Sequence, residues 1–313
     1  MFNVILISKR LVFLGLIFFV SFECLYAQQE PQFTQYMYAT STINPAYAGS
    51  RDLTEISALY RAQWVGIDGA PKTANVNFTM PMYKRMGLGL SVLNDRIGPS
   101  DESTFGLDFS YNIDVSSEYR LFFGLKASVN LLNIDFSKLN IENPNDQAFQ
   151  NNVDNKFSPN IGTGLYLQSE KSFVGLSIPF LLETEHYKDQ IASKAKEKMH
   201  LYLTAGYVFD LNYNIQFKPS VLFKAVEGSP IQTDVSASFL FNDFFTIGAA
   251  YRSKGEGVSA LAGFQVSNNL YIGYGYDFSS SGLTTFGNSS HELFLRFSIF
   301  DFKNSRIVSP RFF

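Results

Sequence analysis

The chain has 313 residues, a formal net charge of −3 and one cysteine, Cys24, with 17% of its residues charged. With no basic cluster, that balance argues against a nucleic-acid partner, and a lone cysteine allows no intrachain disulfide. Phe and Tyr are frequent (32 and 17, against one Trp). Beyond residue 27 no apolar run reaches the ~20 residues of a membrane-spanning helix. An all-β chain remains, and pattern decides whether it is soluble or membrane-embedded.

The N-terminus has the three parts of a secretory signal: Lys9 and Arg10, the apolar run Leu11–Val20, and Cys24-Leu25-Tyr26-Ala27 ahead of Gln28. Cleavage is expected after Ala27. The run is about half the length of a permanent anchor. Glu23 precedes Cys24 where a lipidated cysteine normally follows a small residue, which argues against lipidation. The expected organisation is a signal peptide over 1–27, an N-terminal periplasmic or lumenal segment over 28–53, and an outer-membrane barrel over 54–313. Within 28–53, Pro45 disfavours a helix through Asn44 and Gly49 permits a tight turn. Barrel entry explains this stretch, and so does a plug or partner surface carried by Asn44, Pro45, Tyr47 and Gly49. Phe33, Tyr36 and Met37 share a face if the segment is helical, placing it in the lumen or on the periplasmic mouth.

From Thr54 onward the period is two. Tyr119, Leu121, Phe123, Leu125, Ala127, Val129 and Leu131 alternate with Arg120, Gly124, Lys126, Ser128 and Asn130, and Phe122 is the exception. Successive strand side chains point to opposite faces, so such a segment has one apolar and one polar wall. Similar runs predict roughly fourteen antiparallel strands, each near the ~10 residues a tilted membrane strand needs. Their spans are 54–64, 72–82, 86–94, 103–114, 119–134, 158–169, 172–181, 199–210, 214–226, 231–241, 244–252, 257–266, 270–279 and 291–300. Odd-numbered links 65–71, 95–102, 135–157, 182–198 and 280–290 are long and alternate with tight ones, while those between strands nine and ten and strands eleven and twelve are shorter but contain Gly. Outer-membrane barrels combine long outer loops with short periplasmic turns in this way. An even strand count puts both termini on the periplasmic side.

The polar wall carries Glu55, Arg61, Asp108, Arg120, Lys126, Lys218, Lys224, Asp234, Arg252, Asp277, Glu292 and Arg296. Facing lipid, an Arg or Lys costs about 2–4 kcal/mol near mid-bilayer, so these residues are expected in the lumen. Both signs occur. A narrow interior filled by ion pairs fits better than a charge-selective channel, since porin-type channels have about 16 to 18 strands.

No catalytic, cofactor or metal site is expected, and the chain does not read as an enzyme. His186, His200 and His291 form no H-E-x-x-H, and Glu183, Glu185 and His186 read as a solvated loop. Ser290-His291-Glu292 lie on alternating faces, so they make no triad alone. Asn140–Asn155 lacks EF-hand spacing. Trp64, in the turn-rich Gln63–Pro71 link, suits a membrane–water interface.

Several segments together resemble one family: PQFTQYMYATSTINPAYAGSRD at 31–52, YRAQWVGIDGAPKT at 60–73, GLGLSVLNDRIGPSDES at 87–103, GTGLYL at 162–167 with FVGLSIPFLL at 173–182, and YDFSSS at 276–281 with SHELFLRF at 290–297. The chain is similar to the PorP/SprF family of type IX secretion and gliding-motility proteins over essentially its whole mature length. The resemblance implies an outer-membrane barrel that assists secretion or surface attachment of a large adhesin carrying a C-terminal sorting domain. It also implies partners in the translocon or periplasmic ring. Candidate plug or partner residues are Asn44, Pro45, Tyr47, Gly49, Trp64, Gly66, Asp68, Gly69, Asn94, Asp95, Gly98 and Pro99. A fourteen-stranded transporter or porin for a small or hydrophobic solute is the alternative, and a hydrolase built on Ser290, His291 and Glu292 is a third reading.

Overall fold

The computed structural model describes residues 31–83, 85–139, 151–183, 198–253, 257–278 and 289–299. The strands are β1 Thr54–Ala62, β2 Lys72–Pro81, β3 Met86–Ile97, β4 Ser100–Asp114, β5 Arg120–Ile134, β6 Val153–Gln168, β7 Ser172–Ile178, β8 His200–Tyr207, β9 Phe209–Asn212, β10 Ile215–Val226, β11 Gln232–Phe241, β12 Phe245–Arg252, β13 Val258–Gln265, β14 Leu270–Phe278 and β15 Ser289–Ile299. All pairings are antiparallel, and β1 against β15 together with β10 against β11 closes a barrel of 14 strands. Closure leaves no free edge in the ring, so every ladder group can be bonded where water is absent.

Alternation sorts the walls. In β1, Ile56 and Tyr60 are exposed outward, while Glu55, Ser57, Leu59 and Arg61 are buried inward. In β4, Phe105, Leu107, Phe109 and Tyr111 face out, while Asp108 and Ser110 face in. The apolar wall is therefore the lipid-facing one.

Several strand ends differ from the expected spans (β6 begins at Val153 rather than at 158), and two differences have a clear physical cause. The eighth strand, expected over 199–210, is interrupted at Val208: its N–H donates to the Lys171 carbonyl in register with β7, while the pairing to β10 lapses between Gly206 and Phe209. Ser220↔Gly206 and Phe217↔Phe209 hold one register across the gap, so β8 and β9 are one strand in the ring. Pro219 lies opposite the gap and has no N–H for the ladder.

The link expected over 95–102 is mostly strand. Asp95 pairs with Glu102 and Arg96 with Asp101, leaving a turn at Gly98-Pro99. An Arg96 Nε–Asp101 Oδ2 ion pair at 2.7 Å and an Asn94 Nδ2–Asp101 Oδ1 hydrogen bond at 2.7 Å carry the pairing past the apolar belt. β4, β5 and β6 run to 15, 15 and 16 residues, whereas β12 and β13 have 8 each. One side of the barrel therefore stands taller at the end where β1 finishes, called here the outer end. The inner-end links are short, two to five residues, while four outer links span nine residues or more.

The termini themselves lie outside the described residues, and the described course departs from the expectation of an inner-end start. β1 begins and β15 ends at the inner end, but residues 31–35 lie at the outer end, against Gln232, Asp277 and Glu292. Residues 33–48 then descend through the lumen and are mostly buried. Phe33, Tyr36 and Met37 pack in one cluster, yet the helix there is a single turn, Thr40–Ile43. The signal-peptide residues and residues 300–313 lie outside the described residues.

Candidate functional site: the lumenal segment and the outer rim

The outer end of the lumenal segment is held by side chains of the barrel gripping its backbone. Glu292 accepts the Thr34 N–H at 2.8 Å and the Gln35 N–H at 2.7 Å, one on each carboxylate oxygen. Arg252 Nη2 donates to the Phe33 carbonyl at 3.1 Å, and its Nε pairs with Asp234 at 2.8 Å. The Thr34 hydroxyl donates to Asp277 at 2.8 Å and accepts from Arg61 Nη1 at 2.9 Å. Arg61 also pairs with Asp277 at 2.5 Å and Glu292 at 3.3 Å. These charges are fully buried, and burial is tolerable because each is paired and hydrogen-bonded.

At mid-lumen the contacts are aromatic. Tyr38 lies 5.4 Å from Tyr271 and 5.9 Å from Phe294 between ring centroids, with Lys218 Nζ 4.5 Å above its ring. That distance is within cation–π range. Across the lumen, on β2 and β7, Thr42 donates to Asn75 at 3.1 Å and the Ile43 carbonyl accepts from Ser177 at 2.7 Å.

The inner half sits in a socket made by missing side chains. Asn44 caps the 3-10 turn Pro45–Tyr47 by accepting the Ala46 N–H at 2.9 Å, and its amide donates to the Leu165 carbonyl at 3.0 Å. A Cβ on Gly124 would lie 2.1 Å from the Ala46 nitrogen, and one on Gly164 2.1 Å from Asn44 Oδ1. Only glycine on β5 and β6 lets the turn approach this closely. Tyr47 meets Tyr166 edge-on at 5.5 Å. Gly49, at φ +69°, turns the chain against β3. Arg51 then pairs with Glu55 at 2.6 Å, Arg296 stands 4.0 Å from the same carboxylate, and Asp52 pairs with Arg120 at 2.7 Å at the inner mouth.

At the outer rim, the Gln63–Pro71 link leans over β15. Trp64, at φ +45°, donates its backbone N–H to Ser290 Oγ at 3.3 Å, and Val65 donates to the Ser289 carbonyl at 3.0 Å. Gly98 donates to the Gly69 carbonyl at 2.9 Å, and Asp135 donates to the Pro99 carbonyl at 3.0 Å. Three successive outer connections are thereby tied together above the tall wall.

A family described as type IX secretion system membrane protein PorP/SprF matches residues 25–297. The chain belongs to the PorP/SprF family. It is thus a membrane protein of a type IX secretion family, and its barrel points to the outer membrane. Comparison with curated protein sequences gives no significant match. Among solved structures, the chain is similar to the CymD monoaromatic hydrocarbon channel (TM-score 0.51, 13% identity, 86% of this chain and 94% of that one). It is also similar to the Ralstonia pickettii toluene transporter TbuX (TM-score 0.52, 11% identity, 83% and 92%). At such identities the likeness is one of fold. Family and neighbours are secretion and transport proteins rather than enzymes.

In this PorP/SprF barrel the candidate residues fall into two groups at opposite ends. Asn44, Pro45, Tyr47 and Gly49 lie in the inner lumen. Trp64, Gly66, Asp68, Gly69, Asn94, Asp95, Gly98 and Pro99 belong to the outer rim, where Asp95 accepts from Thr73 at 2.5 Å. Arg61, Asp108, Lys126, Lys218, Lys224, Asp234 and Arg296 are buried lumenal charges; Lys126 pairs with Asp108 at 3.3 Å, and Lys224 lies 6.0 Å above the Tyr202 ring. Arg120 is the exception, partly exposed at the inner mouth. Ser290 and Glu292 face the lumen, while His291 points to the outer wall and meets the Tyr274 hydroxyl at 2.6 Å. Among the described residues no group of three or more His, Cys, Asp or Glu could hold a metal ion. Glu183 is described; Glu185 and His186 lie outside the described residues.

Sequence reasoning missed Thr34, Gln35 and Arg51 as members of the lumenal network. The partners of Thr34 and Gln35 are remote in sequence, whereas Arg51 pairs with Glu55 four residues on, a spacing that could have marked it. Alternation already places Glu292 on the lumenal wall, and pairing the first and last strands to close the ring puts it opposite Arg61.

Proposed function

We propose that this protein is an outer-membrane accessory of type IX secretion that supports secretion or cell-surface attachment of a partner adhesin with a C-terminal sorting domain. In this reading the partner docks on the outer rim and the lumen conducts nothing. The observation that carries it is the occupied lumen: residues 33–48 are seated by backbone contacts at both ends, with Glu292 and Arg252 above and the Gly124/Gly164 socket below. A large folded client has no path past them. The rim of Gln63–Pro71, Gly98-Pro99 and Asp135, raised on the long strands β4–β6, offers an outward-facing surface. The translocon or periplasmic ring is the expected machinery on the inner side, and the mature chain begins after Ala27.

The test is a deletion strain analysed by surface proteomics. Loss of a large surface adhesin, restored by the intact gene, supports docking. A normal surface proteome removes the proposal. The solute-transporter reading rests on fold likeness alone, and solute-dependent conductance by purified protein in liposomes would revive it.

A further inference from the structure

The lumenal segment has a direction. It meets Gln232, Asp277 and Glu292 at the end where β1 finishes, and it joins β1 at the opposite end through Arg51, Asp52 and Glu55. Between these levels the ties stay inside the barrel, Tyr36 with Asp234, Tyr38 with Tyr271 and Thr42 with Asn75, and from Asn44 at Leu165 to Ser50 at Gln168 they run toward the inner mouth. The segment is therefore a single traverse of the barrel rather than a loop that enters and leaves by one mouth.

We infer that the segment is threaded through the lumen from the outer mouth and presents residues 31–32 at the cell surface, on the face opposite to the start of β1. The long outer connections set which face that is. This goes beyond the docking proposal and does not depend on it.

Two consequences follow from the tethering. The segment is covalently fixed at the inner mouth by β1, so its free end can vacate the lumen only by being drawn inward past Asp234 and Tyr271. The closed seam and the filled lumen also share one cluster, because Arg61 and Glu292, neighbours across the β1–β15 seam, both hold Thr34. The outer grip reads backbone, through the Thr34 and Gln35 N–H groups and the Phe33 carbonyl, so it constrains the path of the segment more than its side chains.

Substituted-cysteine labelling tests this in the full-length protein in cells. In a Cys24→Ser background, Pro31→Cys is compared with Asp68→Cys on the outer rim and Glu118→Cys in an inner turn, using a membrane-impermeant maleimide on intact cells. Pro31→Cys should label to within about twofold of Asp68→Cys, with Glu118→Cys labelling only after permeabilisation. Failure of Pro31→Cys to label on intact cells, whether or not it labels after permeabilisation, overturns the inference. A second variant, Gln32→Cys with Gln232→Cys, should be bridged by a short bifunctional maleimide, read by mass spectrometry of the linked peptides; the two glutamine amides meet tip to tip at 3.1 Å, so the shorter cysteines need a spacer rather than a direct disulfide. Absence of that crosslink in folded barrel also overturns it. A deletion strain with normal surface adhesins would remove the docking proposal and leave both results unaffected.

Discussion

Arg61 on the first strand and Glu292 on the last stand opposite each other across the seam that closes the barrel, and both also hold Thr34 of the lumenal segment. One buried cluster therefore joins barrel closure to lumen filling.

The first prediction concerns that cluster. Arg61→Met removes the cation shared by Asp277 and Glu292, and leaving buried carboxylates without it costs about 3–5 kcal/mol. Urea unfolding of purified protein in detergent should show this. Pairing Arg61→Met with Asp277→Leu should cost less than the sum of the two single changes, by about 0.5–3 kcal/mol, because contacting residues couple.

Arg120→Ala is expected to behave differently, although Arg120 makes two short bonds to Asp52. The pair is partly exposed at the inner mouth, and such pairs are worth about 0–1 kcal/mol. The same unfolding measurement should separate it clearly from Arg61→Met. Equal losses would mean that burial does not govern these charges.

The glycine socket gives a steric prediction. Gly124→Ala puts a Cβ 2.1 Å from the Ala46 nitrogen, and backbone cannot yield as a flexible side chain can. Overpacking of this kind costs about 1–3 kcal/mol. Displacement of residues 44–48 should also appear as new ion conductance in planar bilayers. Gly275→Ala is the control: its nearest atoms would lie at 3.5 Å, an ordinary contact, and conductance should stay at the wild-type level.

The rim prediction separates docking from stability. Asp68→Ala combined with Pro99→Ala alters the outer connections without touching the lumenal network. Stability should change by less than about 0.5 kcal/mol, as for surface sites. Co-purification of the partner from solubilised outer membrane should fall at least about tenfold, equivalent to roughly 1.4 kcal/mol of binding. Undiminished capture would move the docking surface elsewhere.

Much of the barrel was legible because strand alternation is local: Leu107, Asp108 and Phe109 declare their walls without help from distant residues. The Asp95–Glu102 stretch was not legible as strand, because its polar residues look like a loop until Arg96 and Asp101 are seen paired across a hairpin in water. The course of the lumenal segment was hidden for a different reason. Thr34 bonds to Glu292 across 258 positions, and no short-range period encodes such a contact. The turn at Asn44 to Gly49 was readable as a turn, but its seat on Gly124 and Gly164 depends on which strands face the lumen at that height.

The most direct measurement of the central claim is the surface proteome of a deletion strain against the complemented strain. The account predicts that at least one large cell-surface adhesin is lost and then restored by the intact protein. An unchanged set of surface proteins would contradict it.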